Sequence, residues 1–391
     1  MGELSEHDGT NGDLPVERRI GQVVGDRSGP TLIAVAAIHG NETAGLHAGR
    51  RVLARLGRDD VALRGEMIVF AGNVGAVREK RRYRVRDMNR VWSEAHVEDV
   101  ERRAASSPDS LDAEDQEQLE LLAVIREAVA RARGPVFLVD LHTTSAAGVP
   151  FVLFGDTLPQ RHFASALPLP LIMGLEEQVD GVLSSYWTRH GCTTFAVEGG
   201  QHADPGSIDN LEAVLLVAAE TAGIFARGSV AEVPEAARLL ESRRGDLPRV
   251  MEVVSRHAIR PEDAFAMAPG FRNLDYARAQ QLLARDRNGE IRAPRDGMVI
   301  LPLYQGQGDD GFFWGRAVSS ARMRVSERLR HLELERLLPL LPGVTRDPSA
   351  PHRLVVDTRI ARLYPLDVFH ILGYRRIRKD AARMTVERQP D

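Results

Sequence analysis

The stretch IAVAAIHGNETAG, Ile33 to Gly45, joins six nearly unbroken apolar residues to a histidine, a glycine, an asparagine and a glutamate. A run this short, rich in small and β-branched side chains, reads as a buried strand rather than the start of a helix. His39 and Glu42 then stand three residues apart on the turn where that strand ends. Outward from it, TLIAVAAI, GEMIVFAGN, PVFLVDLH, VPFVLFG and TTFAVEGG read as strands. Helical patterns in HGNETAGLHAGRRVLARL and DAEDQEQLELLAVIREAVARAR alternate with them. The second opens on acids and closes on arginines, as the helix dipole favours. This alternation, over residues 18–228, predicts an α/β layered domain.

Between these units, EDVERRAASSPDSL reads as a solvated, partly mobile connection. Beyond about Arg227 the alternation stops. PRVMEVVSRHAI and GEIRAPRDGMVILPLYQGQGDDGFFWGRAV are short β-like runs broken by Gly, Pro and Asp, which predicts a smaller β-rich domain over residues 229–319. Residues 320–391 read as a helical C-terminal extension. In VSERLRHLELERLLPLL, the residues Leu329, Leu332, Leu337 and Leu340 approximate a helical stripe, expected to be buried on the body or on a partner subunit of a homo-oligomer. Tyr364, Tyr374 and the basic RRIRKD offer no metal-ligand or acid–base pattern, so the extension is assigned to packing or association.

The chain of 391 residues carries a net charge of -4, which gives no global attraction to nucleic acid or to an anionic membrane. All of its 51 basic residues except Lys80 and Lys379 are arginine, a bias that lowers the meaning of any single surface arginine. Cys192 is the only cysteine, so an intrachain disulfide and a four-thiolate zinc site are both excluded. Any metal must be held by histidine and carboxylate. The polar, acidic N-terminus has no apolar core of a secretory signal, and no segment approaches 18 uninterrupted apolar residues, so a cytoplasmic protein is expected.

Histidine and carboxylate are the ligands zinc takes in hydrolytic sites, three from the protein with one position left open for water. His39 and Glu42 supply two. His142, ending the apolar run of VFLVDLHTTSAAG, is the candidate third. Asp140 shares its strand face and either orients a ring nitrogen of His142 or simply ends the strand as a polar residue. Hydrolysis also needs a base, and Glu198 closes another apolar strand ahead of two glycines. RYRVRDMNR packs Arg82, Arg84, Arg86 and Arg90 with Asp87 and Asn89. It is either a solvated loop or one that overhangs the strand ends to meet an anionic substrate.

Taken in order, HGNETAG, GNVGAVREKRRYRVRDMNRVW, VDLHTT and VEGGQH resemble the succinylglutamate desuccinylase and aspartoacylase family of zinc carboxypeptidase-like hydrolases. The likeness runs over about residues 18–318, since the β-like segment around GMVILPLYQGQGDDGFFWGRAV resembles that family's C-terminal β domain. The resemblance implies a zinc carboxypeptidase-like mixed sheet flanked by helices, with a smaller β-rich domain and, here, a helical tail. It implies one Zn²⁺ per chain on His39, Glu42 and His142, with Glu198 as the catalytic carboxylate. It matches Arg82 to the arginine that polarises the scissile carbonyl, and Asn89 and Arg90 to the pair that grips a substrate carboxylate. Arg189 is approximately placed for a further carboxylate-binding arginine.

Met88 and Trp92 stand where the family has a leucine and a nearby phenylalanine, and the extension has no counterpart in shorter members. The expected activity is removal of an N-acyl group, succinyl or acetyl-like, from a carboxylate-bearing amino acid or related small amine. The alternatives are a zinc carboxypeptidase acting on short peptides, and a non-catalytic binding protein on the same fold.

Overall fold

The computed structural model describes residues 16–348, 350–357, 359–360, 366–379 and 383–388. The N-terminal residues 1–15 and Tyr364 therefore lie outside the described residues. The strands in the first part of the chain are β1 (Arg19–Val24), β2 (Arg27–Ala36), β3 (Arg64–Ala71), β4 (Val136–Thr144), β5 (Phe151–Leu153), β6 (Leu171–Met173), β7 (Thr193–Gln201) and β8 (Val250–Ala258). There follow β9 (Ala266–Met267), β10 (Asp275–Ala277), β11 (Leu282–Asp286), β12 (Gly289–Arg292), β13 (Gly297–Ile300) and β14 (Asp310–Ala317). Eleven of them form one mixed sheet in the order β1-β3-β2-β4-β7-β5-β6-β8-β14-β13-β10. The central β3, β2, β4 and β7 run parallel, and β5 returns antiparallel to β7.

Parallel strands are covered on both faces and so read as continuous apolar runs. β2 meets this rule, since Leu32 to Ile38 are all fully buried. On one face lie α1 (Ala44–Leu56), α7 (Gly206–Ala222) and α8 (Val233–Arg244), whose apolar sides share a core with Leu32, Ala34, Val69, Val139 and Val197. On the other lie α4 (Ala113–Arg131) and α6 (Leu183–Arg189), packed against Ile33, Val35, Ile68 and Leu138. The connection expected to be solvated does lie largely at the surface, but its first part is helical, within α3 (Glu94–Ser106), with Ser93 capping the first turn and Val97 and Val100 buried. Its two buried residues, three apart among charges, give too thin a stripe to stand out in the sequence. The short helices α2 (Val74–Arg78) and α5 (Leu158–Ser165) complete this part.

The β-rich C-terminal part is present, and its β8, β14, β13 and β10 continue the main sheet while β12-β11-β9 form a small separate one. No helix among the described residues is long and apolar enough to cross a membrane.

The extension departs from the helical expectation. After α9 (Ser320–His331) and a 3-10 stretch to Leu340 come β15 (Val344–Asp347), β16 (Ala350–Asp357), α10 (Leu366–Ile371), β17 (Tyr374–Lys379) and β18 (Arg383–Arg388). The four strands pair as a second antiparallel sheet, β15-β16-β18-β17, over a core of their own built from Leu354, Val356, Phe369, Tyr374 and Val386. The leucine stripe also fails. Leu332, Leu337 and Leu340 are exposed while Leu338 is buried, because α9 ends at His331 and the tighter 3-10 turn shifts the phase of the side chains.

Candidate active site

The carboxyl ends of β2, β4 and β7 meet at one cleft, where open α/β sheets bind ligands. After β2 the chain turns through Ala37, held in the left-handed region at φ 56°, and delivers His39. Gly40 follows because a Cβ there would come within 2.1 Å of the Ala76 backbone. Its N–H donates to the Arg82 carbonyl at 3.0 Å, which stitches the arginine loop onto the histidine turn. The β4–β7 register sets His142 beside Glu198.

His39, Glu42 and His142 are all buried, and one ligand atom from each lies within 4.8 Å of the others. His39 Nδ1 is 2.8 Å from Glu42 Oε1, and His142 Nδ1 is 3.1 Å from Glu42 Oε2. The far nitrogens are held by carboxylates: His39 Nε2 by Asp87 at 3.0 Å, and His142 Nε2 by Asp140 at 2.9 Å. Two imidazoles that turn one nitrogen inward and rest the other on a carboxylate are the usual support of a metal-ligating histidine. The set can hold a metal ion. Burial works against the charge on Glu42, but His39 and His142 outweigh it and keep the carboxyl well below its ordinary range. Burial likewise opposes the charged form of His142, and Asp140 overcomes it, raising the imidazole well above its usual value.

Glu198 lines the same cleft, and its Oε2 is buried with no protein partner. Burial pushes its carboxyl up to about 8, a rise that the neighbouring His142 partly offsets. Arg82 reaches in from the loop and donates to Glu42 Oε1 at 3.1 Å and to Asp87 Oδ2 at 2.9 Å. Asn89 is buried, receives the Leu183 N–H on its carbonyl at 2.8 Å and lies 3.3 Å from His142 Nε2. Arg90 lines the cleft and pairs with Asp310 at 2.7 Å, an aspartate that Arg256 also contacts. The loop that sequence left open between solvated face and substrate wall therefore stands at the cleft.

Arg189 does not. It is the last residue of α6, its side chain is 39% exposed, and it points to Glu94 at 3.7 Å. The inward face of that short helix is taken by Leu183, Tyr186 and Trp187, which leaves the arginine at the solvent end. Two residues of the site carried no assignment from sequence. Asp87 sat unread inside the arginine run, and His202, at the end of VEGGQH, has Nδ1 2.7 Å from the Thr143 hydroxyl and donates from Nε2 to Gln305 Oε1 at 3.2 Å. The cleft has a volume of about 140 Å³.

The model of the succinylglutamate desuccinylase/aspartoacylase catalytic domain matches residues 28–220. Succinylglutamate desuccinylase of Burkholderia lata is 32% identical over 124 residues, which is 32% of this chain and 33% of that protein. The enzyme of the same name from Chromobacterium violaceum is 32% identical over 145 residues, 35% of this chain and 40% of the relative. These matches span about a third of the relatives' length. Among solved structures, succinylglutamate desuccinylase/aspartoacylase from Rhodobacter sphaeroides superimposes with a TM-score of 0.56 at 18% identity, covering 76% of this chain and 88% of that one. The product-bound ectoine utilization protein EutE (DoeB) from Ruegeria pomeroyi gives 0.53 at 21% identity, covering 75% and 87%. Residues 28–220 thus match the catalytic domain of the succinylglutamate desuccinylase/aspartoacylase family, the family that the curated relatives and the solved structures also support.

Proposed function

We propose that this protein is a zinc-dependent amidohydrolase that removes an N-acyl group from a carboxylate-bearing amino acid or a related small amine. The observation that carries the reading is Glu198, a buried carboxylate with an unpartnered oxygen in the same cleft as a His–Glu–His ligand set. The match to the family's catalytic domain and the names of the relatives support the deacylase class. His39, Glu42 and His142 would hold the zinc, which when bound supplies Lewis acidity and lowers the pKa of water. Glu198 takes a proton from the attacking water and returns one to the leaving amine, work suited to a carboxyl raised toward neutrality.

Arg82, partly buried and held by Asp87, is the donor for the oxyanion that develops on the scissile carbonyl. Arg90 is the anchor for the substrate carboxylate, which competes with Asp310 for the guanidinium. Asn89, with its amide engaged by Leu183 and Asp140, keeps Arg90 and His142 in place. Screening zinc-loaded protein against N-succinyl, N-acetyl and N-formyl amino acids tests the reading. Turnover of at least one series is expected, and cleavage of short peptides without any deacylation would replace it.

A further inference from the structure

Phe154, Gly155, Leu175 and Glu176 line the cleft but belong to neither the ligand set nor the base. The chain on which they stand is held from outside the matched catalytic domain. Asp156, next to Gly155, has its backbone in the left-handed region at φ 67°, a conformation that a residue with a Cβ keeps only when its surroundings impose it. Those surroundings come largely from the extension. Arg330 on α9 donates to the Asp156 carbonyl oxygen at 2.6 Å and to its Oδ2 at 2.8 Å. Arg375 on β17 also contacts Oδ2, and Arg161 contacts Oδ1.

Arg375 then faces the second wall segment. Its Nε lies 3.3 Å from Glu176 Oε1, and its Nη1 lies 3.5 Å from Glu177. The side chains of Arg330 and Arg375 are 1% and 7% exposed. Gly373, at φ 86°, leaves the path for Arg330, since a Cβ there would come within 2.8 Å of its guanidinium carbon. The extension does not need this contact to complete its own core, which its sheet and α10 already supply. A buried ion pair adds little net stability but strongly disfavours arrangements that leave one partner unpaired. Its consequence is a fixed geometry.

We propose that the C-terminal extension is a positioning element of the substrate cleft: Arg330 and Arg375 hold the chain at Phe154–Asp156 and Leu175–Glu177, and so set the shape and charge of the wall that the substrate meets. The inference rests on the hydrolytic reading for what occupies the cleft, and on the ion pairs alone for the wall.

The test compares full-length parent protein with Arg375→Met and Arg375→Lys by amide hydrogen exchange, and by kinetics on N-acyl amino acids of increasing acyl length. Arg375→Met should raise exchange in residues 151–157 and 171–179 while leaving 36–43 and 139–144 as protected as in the parent. KM should rise on the order of tenfold with altered acyl preference, while kcat and zinc content change little. Arg375→Lys should recover part of both effects. Unchanged exchange in the two wall segments would overturn the proposal. So would a uniform rise in exchange with a lower Tm but the parent KM and acyl preference, which marks a scaffold alone. Should Arg375→Met fail to fold, Arg375→Lys carries the same comparison, because one ammonium cannot meet Asp156, Glu176 and Glu177 together. A parent protein that cleaves no N-acyl amino acid ends the hydrolytic reading, and the exchange pattern still decides the positioning role.

Discussion

His39, Glu42 and His142 at the head of the central sheet, and Glu252, Asp367 and His370 where the extension meets β8, each gather three donor atoms within 4.8 Å. They differ in how many imidazoles and how many arginines surround the carboxylates. In the first group, two imidazoles turn Nδ1 toward a shared carboxylate and rest Nε2 on Asp87 and Asp140. In the second, the single imidazole is engaged on both sides, by Glu252 at 3.0 Å and Glu177 at 2.8 Å. Arg316 bridges Glu252 and Asp367 at 2.8 and 2.7 Å, and Arg322 adds a contact to Asp367 at 2.9 Å. A guanidinium cannot give up its proton, so the acids of this junction already have their cations. Residue type brings both groups to notice; two imidazoles against one, and the arginines bound to both acids of the junction, separate the candidate metal site from an ion-pair joint.

Metal content puts that difference to the hardest test. His39→Ala or His142→Ala should take dialysed protein from about one zinc per chain to almost none, while His370→Ala leaves the content at the parent value. Loss of zinc in His370→Ala, measured by atomic absorption, would erase the distinction. Next in size is the base. Glu198→Gln should keep its zinc and lose roughly 10²–10⁴-fold in kcat, the range for removing a general base. Parent-like turnover would take Glu198 out of the chemistry. A smaller effect sharpens the comparison at its supporting carboxylates. Asp87→Asn and Asp140→Asn should each weaken zinc affinity by roughly 10–100-fold, whereas Asp367→Asn should not alter it. Equal affinities in a competition titration with a chelator would mean that the far nitrogens do not need their acids.

The candidate ligands and Glu198 were legible because they stand near or just after the ends of buried parallel strands, where a polar residue following an apolar run is conspicuous. Asp140 was legible by strand parity, and it does meet His142. Asp87 was not, because its partner His39 lies 48 residues away and the arginines around it masked its charge. Arg189 misled for a related reason. Distance along the chain to Glu198 says nothing of which side of a seven-residue helix the arginine occupies. The extension was misread because β16 and β17 carry as many arginines as α9, so neither period stands out from the basic background. Its ion pairs to Asp156 and Glu176 join residues more than 170 positions apart and leave no local pattern.

The least of the expected effects lies in the pH response of the ion-pair joint. Burial alone would raise Glu252, but hydrogen bonds from His370 and Arg316 and the charge of Arg375 outweigh it and hold the carboxyl at about 2. A depressed carboxyl contributes stability that is present above its unfolded value of 4.5 and is lost as pH falls toward 2. For His370, burial favours the neutral ring, yet Glu177 and Glu252 prevail over it and over Arg375, and its pKa rises above 6.5. That contribution is complete below 6.5 and is lost as pH climbs through the raised folded value. The joint is therefore tightest between about 4.5 and 6.5, where Glu252 is charged and His370 is protonated. His370→Gln, which keeps a hydrogen-bonding side chain but no charge, should lower Tm by about 2–4 °C in that window. The gap from the parent should narrow steadily at higher pH as the parent imidazole loses its proton. A gap that stays constant from pH 5 to pH 9 would mean that His370 acts through shape alone, and the joint would then owe its hold to the arginines.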